Sequence, residues 1–261
     1  MRIATWNVNS VRLRAEQCAR FVQEAQVDVL CLQEIKCREG EFPMTAFVEM
    51  GLPHVRIRGQ KGYHGVAIAS RTPLEDAPDI DVCRQGEARH VSASVQGVQI
   101  HNLYIPAGGD IADRELNPKF DHKLDVFERL TRTFAAADPK RPILLCGDLN
   151  VAPGEHDVWN HRHMSRVVSH TPIEVEAMET LRASLGFHDP VRAGRPDAEK
   201  LFSWWSYRAA DFRKSGRGLR LDHLWLSPGL ASRAGDAAIH VDVRGWERPS
   251  DHAPVTVDIA A

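Results

Sequence analysis

Apolar residues along this chain come in short runs rich in Val, Ile and Leu, each stopped by Gly, Pro, Asp or Asn. Such runs read as buried β-strands. They cover 2–6, 27–32, 65–69, 90–95, 98–105, 143–146, 221–227, 237–243 and 254–259. Between some of them the apolar period becomes helical. Over 13–25, Cys18, Phe21, Val22 and Ala25 share one face; over 117–136, Phe120, Leu124, Phe127, Leu130 and Phe134 do the same. A third helix is predicted over 173–185, with Thr171-Pro172 as its start. Polar stretches containing glycine over 192–200 and 208–218 read as surface loops around a site. Strands and helices mix from end to end without a linker, low-complexity segment or short repeat. One α/β domain over 1–261 is therefore expected.

Composition narrows the class. The 261 residues, 43% of them hydrophobic, suffice for a substantial core. A formal net charge of −2 gives no global basic signal, although a nucleic-acid face needs only local positive charge. The five cysteines include no C-x-x-C, which argues for a reducing compartment over a disulfide framework or zinc knuckle. Polar residues enter at once after Met1, and no apolar run approaches a membrane span. A cytoplasmic monomer with no membrane contact is expected.

The chemistry gathers at predicted strand ends. The first strand runs into Trp6-Asn7-Val8-Asn9, the second into Gln33-Glu34, and 143–146 into Gly147-Asp148-Leu149-Asn150. Ser250-Asp251-His252 precedes the last strand, Tyr104 stands near another strand end, and Asp222 lies between Leu221 and His223. Taken singly, each has an ordinary structural explanation. Asp and Asn are turn formers, Asp222 can pair with Arg220 or Lys214, and Tyr104 can be a half-buried strand aromatic. Their joint order along the whole chain is what independent turns would not produce. Ser250-Asp251-His252 is no serine-hydrolase triad, because adjacent residues cannot make that geometry and no G-x-S-x-G occurs. Cys146, inside an apolar run, reads as core.

At these positions the chain resembles the exonuclease III branch of the endonuclease/exonuclease/phosphatase superfamily. The resemblance rests on Trp6-Asn7-Val8-Asn9, Leu32-Gln33-Glu34-x-Lys36, residues 62–67, Asn102-Leu103-Tyr104-Ile105-Pro106, and Gly147-Asp148-Leu149-Asn150. It continues through Phe202-Ser203-Trp204-Trp205, Gly218-Leu219-Arg220-Leu221-Asp222 and Ser250-Asp251-His252-Ala253-Pro254. It implies a four-layer α/β sandwich, two packed mixed β-sheets flanked by helices, with active-site loops at one edge. It also implies a DNA-repair phosphodiesterase that cuts 5′ of abasic sites in double-stranded DNA to leave a 3′-OH, with 3′→5′ exonuclease action and cleaning of blocked 3′ ends.

Carried over residue by residue, the resemblance implies a Mg²⁺ site, with Mn²⁺ as a substitute, at Glu34, Asn7 and Asp251, and with Asn9 nearby. Oxygen donors suit such a hard ion. Asp148 is the expected water activator, oriented by Asn150. His252 is expected to hydrogen-bond Asp222, and Tyr104 to reach the same phosphate or the leaving oxygen. Phe202, Trp204 and Leu219 should wall a small apolar pocket for a base-free sugar. Phosphate contacts are expected from Lys36, Arg89 and Lys119, with Arg38, Lys61, Lys123, Arg213, Lys214 and Arg217 as further candidates. After Tyr104 the pattern departs: Ala107-Gly108-Gly109 stands where some relatives place a longer polar residue that enters the duplex.

The histidines at 156, 161, 163 and 170 could bind a transition metal, but read better as part of a polar helix with Trp159 packing inward. Two alternatives remain open. One is a phosphodiesterase or phosphatase of the same superfamily acting on a lipid or inositol phosphate. The other is a catalytically inactive DNA-binding protein.

Overall fold

A computed structural model describes residues 1–209 and 211–260. The strands are β1 (Arg2–Asn7), β2 (Val29–Gln33), β3 (His54–Arg58), β4 (Val66–Ser70), β5 (His90–Val95), β6 (Val98–Tyr104), β7 (Ile143–Asp148), β8 (Trp204–Trp205), β9 (Gly218–Leu219), β10 (Asp222–Leu226), β11 (Ala234–Ile239) and β12 (Val255–Ile259). The helices that matter to the site and its support are α1 (Ala15–Glu24), α2 (Met44–Glu49), α3 (Pro118–Ala135), α4 (His161–Met164) and α5 (Pro172–Leu185). One mixed sheet has the order β11-β12-β1-β2-β4-β3, a second β10-β7-β6-β5, and β8 pairs with β9 in a small ribbon.

The two large sheets pack face to face and are flanked by helices, as expected. Ile3, Val29, Cys31, Val66 and Ile68 of the first sheet meet Val91, Ile100, Leu144, Cys146 and Leu224 of the second. On the first sheet's other face Ala4, Trp6, Leu30 and Leu32 pack on Phe21 and Val22 of α1 and Phe47 of α2. On the second sheet's other face Leu103, Leu145 and Trp225 pack on Phe127, Leu130 and Phe134 of α3 and Met178 and Leu181 of α5. Because successive strand side chains point to opposite faces, burial on both faces produces continuous apolar runs. Each Leu, Ile or Phe so buried stabilises by about 1.5–3 kcal/mol.

The long helices start where their caps dictate. Asn117 accepts from the Lys119 amide with Pro118 in the first turn, and Thr171 and Glu174 form a capping box ahead of α5. Three expectations need correction. β3 was not predicted; it is an edge strand, half-buried throughout, whose Arg and His positions hide the alternation. The strand expected over 237–243 begins at Ala234, with a register shift against β12, and 241–245 form a 3₁₀ turn instead. The loop expected over 208–218 contains a one-turn helix, Phe212–Ser215, capped by Asp211, and ends in β9; its residue 210 lies outside the described residues.

Candidate active site

Strand register builds the site. β1 and β2 run parallel with Asn7 opposite Gln33, so Glu34 follows at the same edge. In the second sheet β6 and β7 are parallel with Tyr104 opposite Asp148, and antiparallel β10 sets Asp222 opposite Asp148. Chain reversal just before β12 brings Asp251 and His252 to that edge, where the Ser250 hydroxyl donates to Asn7 O at 2.6 Å.

Gly147 is required here for two reasons. Its φ is +136°, and a Cβ would lie 1.9 Å from Leu103 O on the neighbouring strand. Backbone strain marks the same region. Glu34 and Lys36 hold φ of 49° and 52°, and Asn9 and Asn150 hold 46° and 53°; the asparagines adopt that conformation more readily.

The side chains interlock. Asn7 Nδ2 donates to Glu34 Oε1 and to Asp148 Oδ2, both at 2.9 Å. Tyr104 OH donates to the same Glu34 oxygen at 2.9 Å, and Lys36 Nζ lies 2.8 Å from the other. Lys36 also donates to Asn9 Oδ1 at 2.6 Å, and Asn9 Nδ2 to Asp251 Oδ1 at 3.0 Å. Trp204 Nε1 donates to the second Asp251 oxygen at 3.0 Å. Asp148 accepts from the Asn150 amide at 3.0 Å and from Asn150 Nδ2 at 3.2 Å. His252 Nδ1 lies 2.8 Å from Asp222 Oδ2, while its Nε2 faces Asp148 Oδ2 at 3.8 Å. Ser203 donates to Asp222 Oδ2 at 2.6 Å.

Burial and charge set the protonation states. Burial pushes Asp148 up to about 7, helped by Asp222 and Glu34 and opposed by His252 and Asn7. Burial alone would lower His252, but Asp222 and Asp148 outweigh it and raise it to about 10. For Glu34, desolvation is outweighed by Asn7 and Lys36, which hold it below the usual range. Asp251 is likewise lowered against desolvation, by His252, Asn9 and Trp204. Tyr104 is raised by desolvation and by Glu34.

The cluster opens into a cavity of about 480 Å³ lined by Glu34, Tyr104, Asp148, Asn150, Asp251 and His252 on one side. Trp159, Met164, Val168, Trp204, Leu219 and Leu221 supply the apolar side. Three larger or comparable hollows elsewhere among the described residues lack this convergence. Phe202, expected in this wall, is not part of it. Its ring packs behind, against Gly218, and supports the β8–β9 ribbon instead.

The basic residues divide. Lys119 is exposed, as are Arg38, Lys61, Arg213, Lys214 and Arg217. Arg89 is buried, paired with Glu87, with its guanidinium 5.0 Å from the Tyr104 ring centroid. Lys123 corrects the expectation outright: it is fully buried and ion-paired with Glu174, so it cannot meet a phosphate. Trp159 does pack inward, on Leu219 and Leu221, but the helix around the histidines is only His161–Met164, and His170 turns in to His161 and Ala152 O. Sequence reasoning passed over Ser203, although it stands inside a motif already singled out. The wall residues Met164 and Val168 had no signal at all.

The sequence matches the Endonuclease/Exonuclease/phosphatase family over residues 4–252. The chain belongs to this family. It is 32% identical to the exodeoxyribonuclease III of Haemophilus influenzae, over 98% of each chain. Its fold superposes on an AP endonuclease from Archaeoglobus fulgidus with a TM-score of 0.92 and 32% identity, each chain fully covered. A 3′ phosphatase from Neisseria, bound to a product DNA hairpin, matches with a TM-score of 0.91 and 31% identity, again over both full chains. The family member described here is thus of the exonuclease III, AP-endonuclease type and a metal-dependent hydrolase. No helix among the described residues is long and apolar enough to cross a membrane.

Proposed function

We propose that this pocket hydrolyses the phosphodiester 5′ of an abasic site in duplex DNA, leaving a 3′-OH, and that it also trims blocked 3′ ends. The observation that carries the reading is the joining of a buried carboxylate and imidazolium with an apolar cavity at one rim. The names of the relatives, an exodeoxyribonuclease III, an AP endonuclease and a 3′ phosphatase, favour DNA over a lipid or inositol phosphate.

The donor set fits a hard divalent ion. Among the described residues, Glu34, Asp148, Asp222 and Asp251 are ion-paired within the cluster by Lys36 and His252, a double negative excess when Asp148 is ionised. The ammonium of Lys36 already sits against Glu34 as a cation would. Glu34 and Asp251 would hold Mg²⁺, with Mn²⁺ as a substitute, and Asn9 stands beside them. Asn7, expected as a ligand, turns its Nδ2 to Glu34 and its Oδ1 to the Asn9 amide, so it would orient Glu34 instead. The grouping Asp148, Asp222 and His252 is a poorer seat, because its imidazole is committed to Asp222 and protonated. Bound at Glu34 and Asp251, the ion would supply positive charge to the scissile phosphate and its leaving oxygen.

The chain's own groups do the rest. Asp148, raised to about 7, takes a proton from water at neutral pH, and Asn150 and Asn7 fix its orientation. His252, held protonated by Asp222, donates from Nε2 to a non-bridging phosphate oxygen. Tyr104 donates its hydroxyl to the phosphate or to the leaving oxygen. Trp204 and Leu219 supply the apolar side against which a base-free sugar would pack. Lys36 and Lys119 meet flanking phosphates. Arg89 acts from behind the ring of Tyr104.

The test is a duplex with one abasic analogue, incubated with and without Mg²⁺. A single nick on the 5′ side, only with the ion and lost in Asp148→Asn at unchanged DNA binding, is expected. Hydrolysis of a lipid headgroup without nicking would overturn the substrate assignment. Binding without any hydrolysis would mean an inactive DNA-binding protein.

A further inference from the structure

The segment 71–89, between β4 and β5, contains no helix and no strand longer than an isolated bridge, yet it carries a tight side-chain cluster. Cys83 Sγ lies 3.2 Å from His122 Nε2 on α3 and 3.9 Å from Glu87 Oε2. The three donor atoms all lie within 4.8 Å of one another. In a tetrahedral zinc centre, with Zn–S of about 2.3 Å and Zn–N or Zn–O of about 2.0–2.2 Å, neighbouring ligand atoms stand roughly 3.5 Å apart. The observed spacings bracket that value.

We propose that Cys83, Glu87 and His122 form a binding site for a zinc-class divalent cation, outside the catalytic pocket. One thiolate, one imidazole and one carboxylate are the donor mix that selects zinc over magnesium. His122 Nε2 and Cys83 Sγ already face each other, so both donor atoms point to one centre. Cys83 and His122 are buried while Glu87 keeps some exposure, which gives an ion a path in. Solvent, or His64, whose Nε2 is 3.2 Å from the other Glu87 oxygen, would complete the set. Binding converts the Cys83 thiol to thiolate and releases one proton to solvent.

The competing arrangement is visible too. Without metal, Cys83 and His122 satisfy each other, and Glu87 is neutralised by Arg89. A carboxylate has acceptor capacity for both Arg89 and an ion. The site would pin the segment to α3, beside the Arg84–Asp121 ion pair at 2.5 Å. Through Glu87 it would steady Arg89, which donates to Tyr104 O at 3.2 Å. The assignment does not depend on the proposed reaction.

The experiment uses the full chain stripped with a chelator and returned to saturating Mg²⁺, then titrated with Co²⁺. One equivalent should give a thiolate-to-cobalt charge-transfer band, reversed by Zn²⁺. Cys83→Ser should abolish the band, and His122→Gln should weaken binding by about tenfold or more. Cys37→Ser and Glu34→Gln should keep it. Circular dichroism and abasic-site nicking show that the Cys83 and His122 variants are folded. A band absent from the native chain, or one that survives Cys83→Ser, or one removed by Glu34→Gln, overturns the assignment.

Discussion

His252 and Asp222, thirty residues apart in sequence, meet at 2.8 Å inside the protein, and Asp222 is itself fixed by the hydroxyl of Ser203. Burial works against a charged imidazole, but Asp222 and Asp148 prevail and raise it from 6.5 to about 10. A raised folded-state value means the protonated form is tied to the native fold. Its contribution to stability is therefore complete below about 6.5 and is lost as pH rises through about 10. In chelator, the difference in unfolding free energy between the native chain and His252→Gln should shrink across that window. Asp222→Asn should flatten the dependence, and in nicking assays it should move the alkaline limit to lower pH. A pH-independent difference would show that His252 is not held protonated.

Lys36 occupies the Glu34 oxygen that a divalent ion needs, at 2.8 Å. An incoming ion must displace the ammonium and endure its repulsion. Lys36→Met should tighten Mg²⁺ binding about tenfold in calorimetric titration, equivalent to roughly 1.4 kcal/mol, and raise KM for DNA once the ion saturates. Weaker Mg²⁺ binding would instead make Lys36 the group that holds Glu34 in position.

Much of the architecture was legible in the sequence because sheets buried on both faces write themselves as apolar runs, and because polar residues just past those runs mark the catalytic edge. Glu34, Asp148, Asp222 and His252 are of this kind. What was hidden follows a different physics. Lys123 looks like a surface cation until Glu174, 51 residues away, is brought against it. Phe202 sits in a motif that also holds Trp204, but only the strand pairing of Trp204 with Leu219 decides which aromatic faces the cavity. The Cys83, Glu87 and His122 cluster joins an irregular segment to a helix, and no periodicity reports such a meeting.

Gly218 lets the β8–β9 ribbon close over Phe202. A Cβ there would lie 2.5 Å from two ring carbons. Gly218→Ala should cost about 1–3 kcal/mol in urea unfolding, as overpacking does. It should also lower kcat/KM on abasic duplex by shifting Leu219 and Trp204 in the cavity wall. Adding Phe202→Ala, which removes the ring and leaves only the Cβ contact at 2.6 Å, should recover part of both losses. Recovery of neither would place the damage in the backbone and not in the ring contact.

Lys123 ties the fold to the chemistry. Its fully buried ammonium lies 2.5 Å from Glu174, and it donates to Ala107 O at 3.2 Å and Asn150 O at 2.8 Å, so one side chain braces two segments that line the catalytic cavity. Glu174 also accepts from the amides of Ser169 and Thr171 and from the Thr171 hydroxyl. Lys123→Met removes the only cation from this arrangement among the described residues and leaves a buried carboxylate without its counter-charge. A loss of about 3–5 kcal/mol in chemical unfolding is expected, with reduced kcat at temperatures where the variant stays folded, because Asn150 loses an anchor. Glu174→Gln in the same chain removes the stranded charge while keeping an acceptor oxygen, and should restore part of the stability but not of kcat. Strictly additive losses in the two substitutions would show that the pair is not coupled, and that Lys123 braces the site through its carbonyl contacts alone.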